Sequence, residues 1–244
     1  MAAVVVIPAR YASTRFPAKI VASTTGRPLV QHVVDQVRKC KRVKEIVVAA
    51  DDLRIVEALK PFGTKVLMTS PAHQSGTDRI AEVMANRDEP IVVNVQGDEP
   101  EIEPDIVDRL IERLEIGPED MATAATPFPD GADVANPNLV KVVTGHHHRA
   151  IYFSRSPIPF RREADFAGNA GYYLHLGIYA YRRDFLLKFA AWQPTPLEMT
   201  EKLEQLRALE HGSSIYVLKV DRATGGIDTA EQYDEFVKRW KTGN

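Results

Sequence analysis

Ala2-Ala3-Val4-Val5-Val6-Ile7-Pro8-Ala9-Arg10-Tyr11-Ala12-Ser13-Thr14-Arg15-Phe16-Pro17-Ala18-Lys19 joins a wholly apolar run to a basic loop. The run 2–7 shows no polar alternation, so it reads as a strand buried on both faces, the kind found inside parallel sheets. The loop that follows gathers Arg10, Arg15 and Lys19, with the hydroxyls of Ser13 and Thr14 between them. Two guanidinium forks and an ammonium suit the several anionic oxygens of a polyphosphate. Pro8 and Pro17 stiffen the two ends and lower the entropy cost of holding the charges together.

Working outward, strands and helices alternate over the first 125 residues. Leu29, Val30, Val33, Val34 and Val37 form one stripe of a helix over 28–39, with Gln31, His32, Asp35, Gln36 and Arg38 opposite. Residues 45–50 read as the next buried strand, and Asp51 or Asp52 can cap a helix carrying Ile55, Val56 and Leu59. Residues 64–68 predict a strand, 77–84 a helix, 91–95 a strand and 104–114 a helix opened by proline. This order implies an α/β fold, a mostly parallel sheet with helices on both faces. Ligands bind such sheets beyond the carboxyl ends of the strands, which singles out the loops after Ile7, Ala50 and Val95. Beyond residue 125 the pattern changes. Two β-rich runs over 139–154 flank Gly145-His146-His147-His148, which reads as a hairpin turn rather than a metal site, because adjacent turn residues point apart. A strand over 174–182, a helix over 200–210, a strand over 215–220 and a closing helix over 231–240 complete the reading. The expectation is one domain over 1–244, with an inserted antiparallel layer in its second half.

Composition narrows the function. The chain has 244 residues, 44% apolar and 26% charged, enough for one sizeable core. Its net charge of -2, from 31 basic and 33 acidic side chains, argues against a nucleic-acid-coating protein. The single cysteine, Cys40, excludes an internal disulfide and a thiol metal cluster, and reads as a half-buried helix residue. Neither a secretory leader nor an apolar run of about 18 residues is present, so no membrane insertion is expected and a cytoplasmic location is. A Gly-x-Gly-x-x-Gly after the first strand and a Walker A sequence are both missing, which disfavours a dinucleotide dehydrogenase and a P-loop ATPase.

Further loops carry chemistry. Gln96-Gly97-Asp98-Glu99-Pro100 follows a buried strand, where an unpaired carboxylate is costly. Asp98 there can bind a hard cation that bridges phosphate oxygens, and Gln96 can read a base or ribose. Asp228, in Gly225-Gly226-Ile227-Asp228-Thr229, is either a second metal ligand or the cap of the closing helix, and spacing alone favours the cap. Ser75-Gly76-Thr77-Asp78-Arg79 offers another arginine near the same edge, with Thr77 or Asp78 as candidate helix caps.

With these blocks in view, the sequence resembles the 3-deoxy-manno-octulosonate (Kdo) cytidylyltransferases. The likeness runs through residues 7–19, Ser75–Arg79, Gln96–Pro100, Val140-Lys-Val-Val143, Tyr152-Phe-Ser-Arg-Ser-Pro-Ile-Pro159, His175-Leu-Gly-Ile-Tyr-Ala-Tyr-Arg182, Leu203-Glu-Gln-Leu-Arg207 and Gly226–Thr229. The first block is shared with CMP-sialate synthetases and other nucleotidyltransferases; the blocks at 152 and 175 are more specific. The resemblance implies a Rossmann-like fold of the nucleotide-diphospho-sugar transferase type. Its nucleotide-binding part would lie at about 1–125, and its sugar-binding and dimerisation part at about 126–230. It implies CTP and Kdo as substrates, CMP-Kdo and pyrophosphate as products, a place in lipopolysaccharide assembly, Mg²⁺ as cofactor and a homodimer. Carried over by position, Arg10, Ser13, Arg15 and Lys19 would hold the triphosphate, and Arg79 and Gln96 would contact the nucleotide. Asp98 and Asp228 would hold the metal, which turns Asp228 from cap to ligand. Arg10, Lys19, Asp98 and Asp228 would be the catalytic set. Arg155, Arg162, His175, Tyr179, Glu204 and Gln205 would line the sugar site, Arg155 pairing with the sugar carboxylate. Ala18 and Ile20 depart from the glycine and proline expected of the family, and Leu174 from a common lysine. Rival readings are a cytidylyltransferase for sialate or 8-amino-Kdo, and a non-catalytic nucleotide-binding relative.

Overall fold

A computed structural model describes residues 3–162, 168–221 and 225–243. The chain forms two compact units, one of residues 1–108 with 224–244, the other of residues 109–223.

The first unit is built from four strands, β1 (Ala3–Ala9), β2 (Val43–Ala50), β3 (Val66–Met68) and β4 (Ile91–Asn94). They are all parallel, in the spatial order β3-β2-β1-β4. Ala3 to Ile7 have no solvent exposure, as the unbroken apolar run required. Between the strands lie α1 (Leu29–Val37), α2 (Leu53–Leu59) and α3 (Gly76–Ala85). The chain moves outward from β1 through β2 to β3, then returns to the other side of β1. With right-handed crossovers, that reversal puts α1 and α2 on one face and α3 on the other. It also makes the carboxyl ends of β1 and β4 a topological switch point, where such sheets open a crevice.

The caps are side-chain chemistry. Asp52 caps α2, accepting from the Arg54 amide at 2.9 Å. Ser75, rather than Thr77 or Asp78, caps α3, and Asp78 reciprocates by accepting from the Ser75 amide at 3.1 Å. The helix α4 (Pro104–Ile116) starts six residues after Asp98, so Asp98 does not cap it. The closing helix α8 (Ala230–Thr242) is capped by Thr229, not by Asp228. Tyr233, Phe236 and Val237 of α8 pack with Leu29 and Ile227 in one apolar cluster, against which Phe16 of the basic loop also lies.

The second unit holds β5 (Met121–Pro127), β6 (Lys141–Thr144), β7 (Ala150–Ser154), β8 (Tyr173–Arg182) and β9 (Ile215–Lys219). β5 runs parallel to β9 and antiparallel to β8, and β6 pairs antiparallel with β7 to give the inserted hairpin. His147 and His148 turn that hairpin with positive φ of 59° and 58°. Two elements carry little sequence signal. β5 reads Met-Ala-Thr-Ala-Ala-Thr-Pro, poor in β-branched residues, yet it lies between two strands and its first six residues are buried. The helix α5 (Arg183–Ala191) follows β8 with no intervening loop. The helix expected over 200–210 is instead two short ones, α6 (Pro196–Glu201) and α7 (Gln205–Glu210). Lys202 breaks them at φ 53°, and Arg207 anchors the fold-back by donating to Glu198 at 2.6 and 2.7 Å and to the Trp192 carbonyl at 3.1 Å.

Candidate active site

A cavity of about 330 Å³ lies in the first unit, at the switch point. Pro8 lines it from the end of β1, Arg10, Ser13 and Lys19 from the loop that follows, Gln74 to Gly76 from the start of α3, and Gln96 to Asp98 from the loop after β4. Two glycines let these loops close. A Cβ on Gly97 would stand 3.1 Å from both the Pro8 carbonyl oxygen and Ile20 Cδ1, and one on Gly76 would meet Pro8 Cγ at 3.3 Å. The end of β1 therefore packs on two glycines so closely that a Cβ at either would make its neighbours give by a few tenths of an ångström.

At one end of this cavity the charges converge. Lys19 Nζ, on a residue only 7% exposed, donates to Asp98 Oδ2 at 2.7 Å, to the Ile227 carbonyl at 2.6 Å and to Asp228 Oδ1 at 3.3 Å. An ammonium has three protons, so all of its donors are used. Arg15 Nη2 reaches the same Asp228 oxygen at 2.8 Å. The Ile227 amide donates to the Asp98 carbonyl at 2.8 Å, which ties the segment before α8 to the loop after β4. Glu99, next in the chain, has its carboxyl pushed up to about 8 by burial and then by the Asp98 charge. It is mostly protonated near neutrality and adds little to the negative charge of the pair. Arg10 Nη2 donates to the His73 carbonyl at 3.1 Å.

Of the residues the sequence singled out, Arg10, Ser13, Lys19, Gln96 and Asp98 line one cavity, and Asp228, paired with Lys19 and Arg15, stands at its charged end. Arg79 differs. It has no solvent exposure, it is absent from the cavity wall, and Nη1 donates to Thr69 Oγ1 at 2.5 Å. Burial holds its guanidinium below the usual arginine range. The Ile227 carbonyl, Ser75 and Gly76 were missed; a backbone acceptor has no sequence signature, whereas the Ser75-Gly76 turn was in view.

In the second unit, His175 Nε2 is 2.9 Å from Thr123 Oγ1, with its ring edge-on to Phe153 and 5.5 Å from Tyr179. Burial pushes it down to about 3, so it is a neutral imidazole. Arg155 is not a free fork: Nε donates to the Glu201 carbonyl at 2.7 Å, Nη1 to Pro137 at 2.7 Å and Nη2 to Lys202 at 3.2 Å. All three nitrogens hold backbone, which fixes the guanidinium plane and leaves one further N–H on each of Nη1 and Nη2 for a ligand. Fully buried Lys141 supports it from beneath, donating to the Arg155 and Asn136 carbonyls. Gln205 is 4% exposed, and its Nε2 has no hydrogen-bond partner among the described residues. Glu204 precedes it at the start of α7, and Arg162 is exposed.

The cytidylyltransferase family model matches residues 4–215. A 3-deoxy-manno-octulosonate cytidylyltransferase of Geobacter metallireducens is 48% identical over 243 residues, covering 96% of each chain. One of Geobacter sulfurreducens is 46% identical, covering 97% of this chain and 98% of the relative. A solved CMP:2-keto-3-deoxy-manno-octonic acid synthetase complexed with CTP matches all of both chains at 39% identity and a TM-score of 0.93. A parallel sheet with its crevice at the switch point, two acidic residues meeting on a lysine, and these full-length likenesses agree: the chain belongs to the cytidylyltransferase family, among the 3-deoxy-manno-octulosonate cytidylyltransferases.

Proposed function

We propose that this chain transfers CMP from CTP to Kdo, releasing pyrophosphate, with Mg²⁺ as cofactor. The observation that carries the proposal is the meeting of Asp98 and Asp228 on Lys19 at the end of a cavity lined by Arg10 and Ser13. Two carboxylates converging beside phosphate-binding cations are the donor set that suits Mg²⁺, which takes one or two carboxylates and leaves its other positions to water and phosphate. Asp98 and Asp228 are the residues that would hold it, and the ion would supply neutralisation of phosphate charge there.

The protein's own part is positioning and electrostatics. Arg10, Ser13 and Arg15 hold the triphosphate, and Gln96 contacts the nucleotide. Lys19 keeps the two carboxylates together against their mutual repulsion. The anomeric oxygen of the sugar attacks the α-phosphorus in line, a new P–O bond forms, and the bond to the pyrophosphate oxygen breaks. Cations already fixed around the phosphates meet that charge without reorganising. His175, Tyr179, Glu204, Gln205 and Arg162 serve the sugar, with neutral His175 and the unpartnered Gln205 amide as its polar contacts. Using CTP, the enzyme works in the cytoplasm, supplying activated Kdo for lipopolysaccharide assembly. It acts as a homodimer, for which the β6–β7 hairpin with Ile151 at 63% exposure is the contact we favour.

The test is pyrophosphate release from CTP, with and without Mg²⁺, and with Kdo, 8-amino-Kdo, sialate or no sugar. Release with Kdo that stops on chelation is the expected result. Release with sialate or the amino sugar alone would change the substrate, and CTP binding with no release would refute the enzymatic reading.

A further inference from the structure

We propose that Asp51 is a positioning residue for the phosphate-binding loop, fixing through Tyr11 the point at which that loop leaves β1. The inference rests on the nucleotide-binding reading of the cavity. Asp51 follows β2 directly, beside the end of β1, where Ala9 is the register partner of Ala50. Its Oδ1 accepts the Tyr11 amide at 2.9 Å. Its Oδ2 faces Nη2 of the fully buried Arg79 at 3.6 Å. Arg79 donates from Nη1 to Thr69 Oγ1, while its Nε and Nη2 have no hydrogen-bond partner among the described residues. A buried guanidinium so sparsely bonded needs a counter-charge, and Asp51 stands within ion-pair reach of it. The carboxylate therefore joins a charge buried under the sheet edge to the first turn of the loop.

A second contact from the same turn holds the other side of Tyr11. The Arg54 guanidinium lies 3.5 Å from the Tyr11 ring centroid and is itself held by Asp52, the cap of α2. Tyr11 is thus gripped at its amide and at its ring by Asp51 and Arg54. The residue before it is Arg10, and Ser13, two residues after it, also lines the cavity. A rotation at Tyr11 carries both away from the phosphates, and a displacement of about 1 Å in such a group costs on the order of a hundredfold in rate.

The experiment measures the dissociation constant of CTP without sugar by titration calorimetry, together with the KM for each substrate. Asp51→Ala weakens CTP binding about tenfold and raises its KM to match, while the sugar KM stays within about twofold. Asp51→Asn keeps an oxygen for the Tyr11 amide but not the counter-charge for Arg79, so it lowers the active fraction, read as calorimetric stoichiometry, while the folded protein binds CTP within about threefold of wild type. A merely structural role would lower the active fraction and the apparent kcat and leave both KM values alone, which would overturn the proposal. So would an Asp51→Asn protein as impaired in CTP affinity as Asp51→Ala. Should Asp51→Ala not fold, Arg54→Gln, on a side chain 63% exposed, tests the same grip. It weakens CTP about threefold, in line with the loss of an exposed cation–π contact. Unchanged affinity in that variant refutes the mechanism. Wild-type protein that binds no CTP would overturn the functional reading and this inference together, whereas CTP binding indifferent to Asp51 and Arg54 overturns this inference alone.

Discussion

Replacing Asp228 by asparagine removes the charge from an oxygen that now holds two cations, Arg15 at 2.8 Å and Lys19 at 3.3 Å. The groups proposed for the triphosphate and those proposed for the metal are therefore paired with each other, and nucleotide binding must separate them. At 2.8 Å in a water-like dielectric the Arg15–Asp228 attraction is about 1.5 kcal/mol. The Arg15 side chain is 64% exposed and that of Asp228 45%, so screening and side-chain entropy bring the net value to about 0.5–1 kcal/mol. That energy opposes CTP binding when no metal is present. Asp228→Asn is accordingly expected to tighten metal-free CTP binding about two- to fivefold. In saturating Mg²⁺ the order reverses, because the substitution removes a proposed metal ligand: turnover falls far more than CTP affinity does. The assay is CTP titration in chelator and in Mg²⁺, for wild type, Asp228→Asn, Arg15→Gln and the double variant. Release of Arg15 accounts for the gain only if the gain disappears in the Arg15→Gln background. Equal tightening in both backgrounds would mean simple relief of anionic repulsion and refute a role for the Arg15–Asp228 pair; so would weaker CTP binding to Asp228→Asn in chelator.

Three further outcomes are expected. Ala18 sits at φ 55°, ψ 25°, a conformation costing a side chain about 1–2 kcal/mol, and glycine gives back about 0.4–1 kcal/mol through its looser unfolded chain. Ala18→Gly therefore stabilises by up to about 1 kcal/mol and raises Tm by roughly 2–4 °C per kcal/mol in thermal melts; a lowered Tm contradicts the geometry. The same logic at the hairpin predicts that His147→Asn with His148→Gly raises Tm, since Asn-Gly meets the demand for two consecutive positive φ values; an unchanged or lower Tm counts against it. Burial pushes His32 down to about 4 and His175 to about 3, so both are neutral in the folded chain while the unfolded chain protonates them below about pH 6.5. Their neutrality stabilises fully above that pH, and stability falls as pH drops from 6.5 toward 4, by up to about 1.4 kcal/mol per unit for each group. Urea melts across that range check the slope, which His32→Gln should reduce.

Much of the first unit was legible because one physical rule governed each segment. An unbroken apolar run at 3–7 between turn signals reads as a strand buried on both faces, and the stripe Leu29–Val37 as a helix covering one side of a sheet, and both were so. The rule that ligands bind beyond the carboxyl ends of parallel strands singled out the loops after Ile7 and Val95, which is why Arg10, Ser13 and Asp98 were in view before any geometry was known. The misses share a different cause. β5 is a strand because β8 and β9 flank it, and no local preference in its alanines says so. Lys202 breaks a helical pattern that its leucine spacing would continue, because Arg207 pulls the next turn onto Glu198 and Trp192. Asp228 was ambiguous from spacing since an aspartate before a helix is the commonest of caps; only the position of Thr229 releases it toward Lys19. The missing glycine at position 18 was visible as a departure, but the left-handed turn that makes it matter was not.

The tie between Lys19 and Asp228 also sets a timetable for the molecule's birth. The two residues are 209 positions apart, and at about 5–20 residues per second the ribosome needs roughly ten to forty seconds to make the second after the first. Throughout that interval the early strands can pair, yet the lysine lacks one of its carboxylates and the basic loop lacks the helix that Phe16 leans on. A chain released early in translation is therefore an unfinished sheet with no complete active centre. The Lys19 cluster closes, and Phe16 gains its support, only after Asp228 and the helix over 230–242 have been made.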